Sequence, residues 1–229
     1  MTVTTTKLTR AAGLSAVVGG LLFIAVQINH PLLTPPSPPR PNTRSAKPRR
    51  SSWPVFSLIG ITGIYLRQVR QTGVLGLIGY VVLGVGYLAI FSAQVVGVFV
   101  LPALAASEPG FVNDVLAVAT SSTPSGDIGP LQILIQGGGF AYVVGGIIFG
   151  IVLFRANVLA RWAAMLLSVG AVAILTTSWL PELTQRLFAI PVSVALIGLG
   201  FSLWREQRTQ NTRPMASPVS SQLDPTGAK

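Results

Sequence analysis

The chain has 229 residues, of which half are hydrophobic and only 10% are charged. Soluble domains carry about 25% charged residues, so this composition excludes an ordinary soluble domain and is typical of a protein with several membrane helices. A formal net charge of +10 would favour nucleic-acid binding in a soluble protein. Because no recognition motif accompanies that charge, we expect no nucleic-acid partner. The absence of cysteine excludes disulfides and thiolate metal sites.

The first predicted region, residues 1–30, contains a polar start with Lys7 and Arg10, followed by an uncharged segment over residues 11–28. A positive start and an apolar run resemble a signal peptide. The run is long for that purpose, however, and no cleavage site with small residues follows it. We therefore expect a retained membrane helix.

Residues 31–52 differ from their surroundings, with seven prolines and five basic residues. Proline lacks an amide donor and breaks helices, so we expect an extended, solvated linker. We interpret this segment as a spacer. The alternative is that its basic residues form a patch that binds anionic lipid head groups. The composition of this segment also differs sharply from that of the neighbouring apolar segments. This difference supports a further hypothesis, that residues 32–53 result from a local shift of reading frame. Reading the genomic DNA in all three frames would test it.

The other apolar segments predict a membrane bundle over residues 53–204. A helix needs about 20 apolar residues to cross the hydrocarbon core, which is about 30 Å thick. The first of these segments is short for a span, and the others are long enough. The segments are residues 53–66, 74–101, 131–154, 162–180 and 187–204, and Pro191 is expected either to start the last helix or to kink it.

Loop charges predict the orientation, because lysine and arginine favour the cytoplasmic side. If residues 53–66 span, six helices place ten basic residues inside and six outside; if they do not, five helices place thirteen inside and three outside. Charge counting alone favours five helices. The charges that flank all of the remaining helices fit a topology of six spans, and we predict this topology. It places both ends of the chain in the cytoplasm of a bacterial inner membrane, with residues 205–229 as a disordered tail.

Small residues recur at four-residue spacing in several predicted helices. Such spacing places them on one helix face, where they allow two membrane helices to approach closely. The predicted packing residues are Ala12, Ala16 and Gly20 in the first helix, Ala89, Ala93 and Gly97 in the third, and Gly146 and Gly150 in the fourth.

The long apolar segments contain no ionisable residue in their interiors, so we expect no catalytic constellation, no metal and no cofactor. The single histidine, His30, is interpreted as an interfacial residue. The polar residues within the segments have two interpretations. Hydrogen bonds between helices are favoured, and a small polar cavity on a ligand path is the alternative. These residues are Gln94, Gln132, Gln136, Tyr87 and Tyr142.

Three stretches resemble a type of uncharacterised multi-pass membrane protein found in actinobacteria and related bacteria: RAAGLSAVVGGLLFIAVQINHP, GITGIYLRQVRQTGVLGLIGY and GGIIFGIVLFRANVLARWAAMLLSVGA. The resemblance covers most of the chain outside residues 31–55. It implies no established activity and no catalytic residues. We expect a structural or accessory component of the lipid bilayer that acts through a second copy or another membrane protein. A small-molecule or ion transporter is the alternative, followed by an intramembrane enzyme.

Overall fold

The computed structural model describes residues 4–28, 43–175 and 182–212, with side chains over residues 4–28, 52–174 and 189–206. Every regular element in these ranges is helical. In chain order they are α1 (Thr5–Ile28), α2 (Thr43–Val95), a π-helical segment (Val96–Val100), α3 (Leu101–Leu104), α4 (Pro109–Ala119), α5 (Pro130–Ala156), α6 (Arg161–Leu175) and α7 (Glu182–Thr212). Four of them, α1, α2, α5 and α7, are long and apolar enough to cross a bilayer, while α4 and α6 are shorter apolar helices. The predicted fold class, a helical membrane bundle, is confirmed.

Helix α2 folds back on itself at Gly73, which divides it into two arms, residues 43–72 (α2a) and residues 74–95 (α2b). Gly73 has φ 58° and ψ −156°, a conformation that is essentially restricted to glycine. The arms run antiparallel, because Trp53 at one end of α2a packs on Tyr87 late in α2b. Nearer the turn, Thr62 hydrogen-bonds to Tyr80. Each arm therefore acts as a separate rod of the bundle.

Several predicted boundaries change in the structure. The second segment was predicted to end at Leu66, whereas α2a continues to the turn at Gly73. Residues 43–52 were predicted as extended linker, but their backbone is helical. Residues 205–212, the start of the predicted disordered tail, continue α7. Pro191 was predicted either to start the last helix or to kink it, and it lies inside α7.

Six helical rods form a ring in the order α2a, α1, α7, α6, α5 and α2b, and α2b closes the ring by packing on α2a. Neighbouring rods meet at small residues, which bring backbones together and strengthen dispersion contacts in lipid. Successive contacts are Gly63 with Ala12, Gly13 with Gly200, Gly198 with Ala163, Gly150 with Ala164, and Gly145 with Leu83.

One face of α2a is completely buried in this ring. Ser57, Ile61, Ile64 and Gln68 are each 0% exposed. Their spacing of four, three and four residues follows the helical period. Contacts with α1, α2b and α7 cover this face, so α2a belongs to the body of the bundle.

Candidate functional site

Three hydroxyl groups meet inside the bundle, from Ser57 in α2a, Tyr87 in α2b and Tyr142 in α5. All three side chains are buried. The two tyrosine rings pack edge to face with their centroids 5.3 Å apart, and the Tyr87 hydroxyl lies near those of Ser57 and Tyr142. Among the described residues, none of these oxygens has a partner with the geometry of a formed hydrogen bond. We call these residues the hydroxyl cluster.

Aromatic rings form one wall of the hydroxyl cluster. Trp53 stacks on Phe23 of α1, with ring centroids 4.1 Å apart and an interplanar angle of 9°. Trp53 and Tyr87 form a T-shaped pair with their ring centroids 5.9 Å apart. Gly19 of α1 makes room for Ser57, because a Cβ at position 19 would lie 2.6 Å from the Ser57 oxygen. The hydroxyl cluster is therefore a small polar site enclosed by aromatic rings and by the backbone of α1.

The chemistry available to the hydroxyl cluster is hydrogen bonding. Each hydroxyl can donate one hydrogen bond and accept others, and a buried one without a partner costs about 1–3 kcal/mol. A single buried water would satisfy several of them. The described residues contain no group of three His, Asp or Glu side chains that could hold a metal ion.

Five polar residues were predicted to form hydrogen bonds between helices or, as the alternative, a polar cavity, and the structure brings together only two of them, Tyr87 and Tyr142. Gln136 is exposed. It precedes Tyr142 by six positions, which places it on another face of α5, because six residues turn a helix by about 240°. Gln94 and Gln132 are half-buried. Ser57 was not predicted, although it lies at helical spacing from the buried residues Ile61 and Ile64 of α2a.

Most of the predicted packing residues lie at helix contacts. The two exceptions are Ala93, which is half-buried, and Gly97 in the π-helical segment, where an added Cβ would meet no atom within 4 Å. The other contacts are Ala12 with Gly63, Ala16 with Gly60, Gly20 with Ser193, Ala89 with Gly138, Gly146 with Ala171, and Gly150 with Ser168. His30 lies outside the described residues.

Charged side chains separate to the two ends of the ring. At one end, Arg67 of α2a forms a two-pronged ion pair with Glu206 of α7, and Arg10 lies 6.0 Å from the ring centre of Trp204. No local sequence signal predicts this pair, because its partners are 139 positions apart. The basic side chains described at this end are Lys7, Arg10, Arg67, Arg70, Arg155, Arg161 and Arg205. The acidic side chains described at the opposite end are Glu108, Asp114 and Asp127.

Long apolar helices, glycine contacts and charges at the two ends together define a multi-pass helical membrane protein. Comparisons with known protein families, with curated proteins and with solved structures find no match. The resemblance to actinobacterial membrane proteins therefore stays an expectation.

Proposed function

We propose that the protein is a structural or accessory component of a bacterial inner membrane that acts by docking against membrane helices, first against a second copy of itself. The supporting observation is an exposed surface on the first half of α5, formed by Ile133, Gln136, Gly137 and Phe140, which we call the α5 face. Ile133 is 76% exposed and Phe140 is 67% exposed. A Cβ at Gly137 would meet no atom within 4 Å. Their spacing places all four on one side of the helix.

The chemistry of the α5 face suits a partner helix better than lipid alone. Apolar side chains gain little from associating in lipid, so small and polar residues drive helix contacts there. Gly137 permits close approach. The Gln136 amide carries both donors and an acceptor. Two copies of Gln136 can therefore pair across a two-fold axis, which favours a second copy of the chain as the partner.

The interior of the bundle is less suited to solute passage. Inside the bundle, the ring of Tyr87 packs against the rings of Trp53 and Tyr142. The exposed Gln136 lies on another face of α5 from Tyr142, so these polar groups do not line one path. These contacts favour docking over transport.

The proposal includes a topology of six spans with both ends of the chain in the cytoplasm. The separation of charges supports it, because a basic end is expected on the cytoplasmic side. The buried face of α2a supports the sixth span. The part of α2a between Ser52 and the turn at Gly73 is about 30 Å long, which is comparable to the thickness of the hydrocarbon core.

Single-cysteine variants test the α5 face, since the native chain has no cysteine. We expect Ile133→Cys to form a disulfide-linked dimer as its main product when native membranes are oxidised, because a two-fold contact places the two thiols together. The matched control is Val169→Cys on α6, which is 56% exposed and lies off this face. We expect this control to stay monomeric on denaturing gels.

A second change in the same background sharpens the experiment. Gly137→Leu should abolish the dimer of Ile133→Cys because it blocks close approach of the two helices. Equal cross-linking of Ile133→Cys and Val169→Cys would contradict the α5 face. A product linked to a different protein would contradict the second copy as the partner.

A further inference from the structure

A groove of about 910 Å³ runs along the outside of the bundle between α1 and α2a. Thr5, Thr6 and Arg70 line one end of it, and Leu58 and Ile59 line the other. Its volume lies at the upper end of the range for small-molecule sites. The groove belongs neither to the α5 face nor to the hydroxyl cluster.

The two ends of the groove differ in chemistry. Arg70 is exposed at the first end, beside threonine side chains, whereas the neighbouring Arg67 is engaged by Glu206. Towards the other end, Leu66 is 60% exposed and Ile59 is 46% exposed. A cationic, hydroxyl-bearing mouth that leads into an apolar channel fits a molecule with an anionic head and a hydrocarbon tail.

The length of the groove matches one leaflet of a bilayer. From Arg70 to Ile59, the eleven-residue separation corresponds to about 16 Å along the helix. The hydrocarbon core is about 30 Å thick, so this distance is close to half of it. The mouth also lies at the basic end of the ring, where seven described basic side chains face one described acidic side chain, Glu206.

We infer that this groove binds an anionic phospholipid, with its phosphate at Arg70 and one acyl chain along Leu66 and Ile59. Guanidinium groups form strong, charge-assisted hydrogen bonds to phosphate, and basic pockets between membrane helices on the cytoplasmic side bind anionic head groups. The assignment to the inner leaflet rests on the proposed orientation. The binding itself does not, and it is independent of the α5 face.

Lipid binding to the full-length protein tests the inference. The protein in neutral detergent is titrated with dioleoyl phosphatidylglycerol or with dioleoyl phosphatidylcholine, and bound lipid is counted by native mass spectrometry. We expect the anionic lipid to bind about fivefold more tightly, which is the effect of one cation beside an anionic lipid. Arg70→Gln should remove this preference. Arg155→Gln, an exposed position at the same end but on α5, should keep it.

A second pair of variants tests the apolar part of the groove without changing charge. Ile59→Trp should fill the channel and weaken the binding of both lipids, whereas Val169→Trp on α6 should weaken the binding of neither. Three results would overturn the inference. They are equal losses for Arg70→Gln and Arg155→Gln, unchanged lipid binding by Ile59→Trp, and binding of soluble glycerol phosphate as tightly as of phosphatidylglycerol.

Discussion

Replacing Gly145 by alanine is expected to destabilise the bundle by about 2–3 kcal/mol relative to a matched glycine-to-alanine change elsewhere on α5. A Cβ at position 145 would overlap the backbone nitrogen of Leu83 in α2b and lie 2.5 Å from its Cα. These are rigid backbone atoms, so the two helices must separate. That separation weakens the dispersion contacts that hold membrane helices together.

The matched control for this change is Gly139→Ala. A Cβ at Gly139 would meet no atom within 4 Å, so only the gain in helix propensity remains, at most about 1 kcal/mol. Both variants share that gain, and the difference between them isolates the packing contact. The measurement is the loss of helical circular dichroism as SDS is titrated into neutral detergent. Coincident unfolding curves for the two variants would show that α2b and α5 do not meet at Gly145.

Trp53→Ala is expected to destabilise the bundle by about 2–3 kcal/mol. Trp53 is 3% exposed and packs between Phe23 and Tyr87. Truncation of buried aromatics in soluble proteins costs about 3–5 kcal/mol, which includes transfer from water as well as the cavity left behind. A membrane helix gains little from the transfer part, because lipid is itself apolar, and the loss of packing remains.

Trp162→Ala provides the comparison for Trp53→Ala. Trp162 is 57% exposed, so its removal should cost less than about 1 kcal/mol in the same SDS titration. If the segment around Trp53 lay at the bilayer surface instead of in the ring, the two tryptophans would cost the same. Equal losses would therefore remove α2a from the core of the bundle.

The sequence predicted the helices whose apolar runs are uninterrupted, such as α1 and α5, because length and hydropathy are local properties. It ended the second helix too early because Arg67 marks the end of the apolar run. In the structure the helix continues beyond Arg67 to Gly73, and Arg67 pairs with Glu206 of α7. A pair separated by 139 positions leaves no local signal. Glu206 of this pair lies in the part of α7 that was predicted as a disordered tail.

The candidate site was predicted less well because polar residues were grouped by type rather than by helical face. The buried face of α5 includes Gly138, Tyr142, Gly145 and Phe149 at spacings of four, three and four residues. Gln136 falls outside this register, which the helical period alone could have shown. The sequence could not predict which helix packs against each face of α5, because that depends on which helices are neighbours in the ring.

The six-span arrangement is tested most directly by thiol labelling from the two sides of the membrane. Ser45→Cys precedes the apolar part of α2a and Ser217→Cys follows α7, in a chain with no native cysteine. Intact cells are treated with a membrane-impermeant thiol reagent, and the treatment is repeated after permeabilisation. We expect Ser45→Cys to be labelled in intact cells and Ser217→Cys only after permeabilisation. If neither is labelled until the cells are opened, both positions lie in the cytoplasm, and α2a does not cross the membrane.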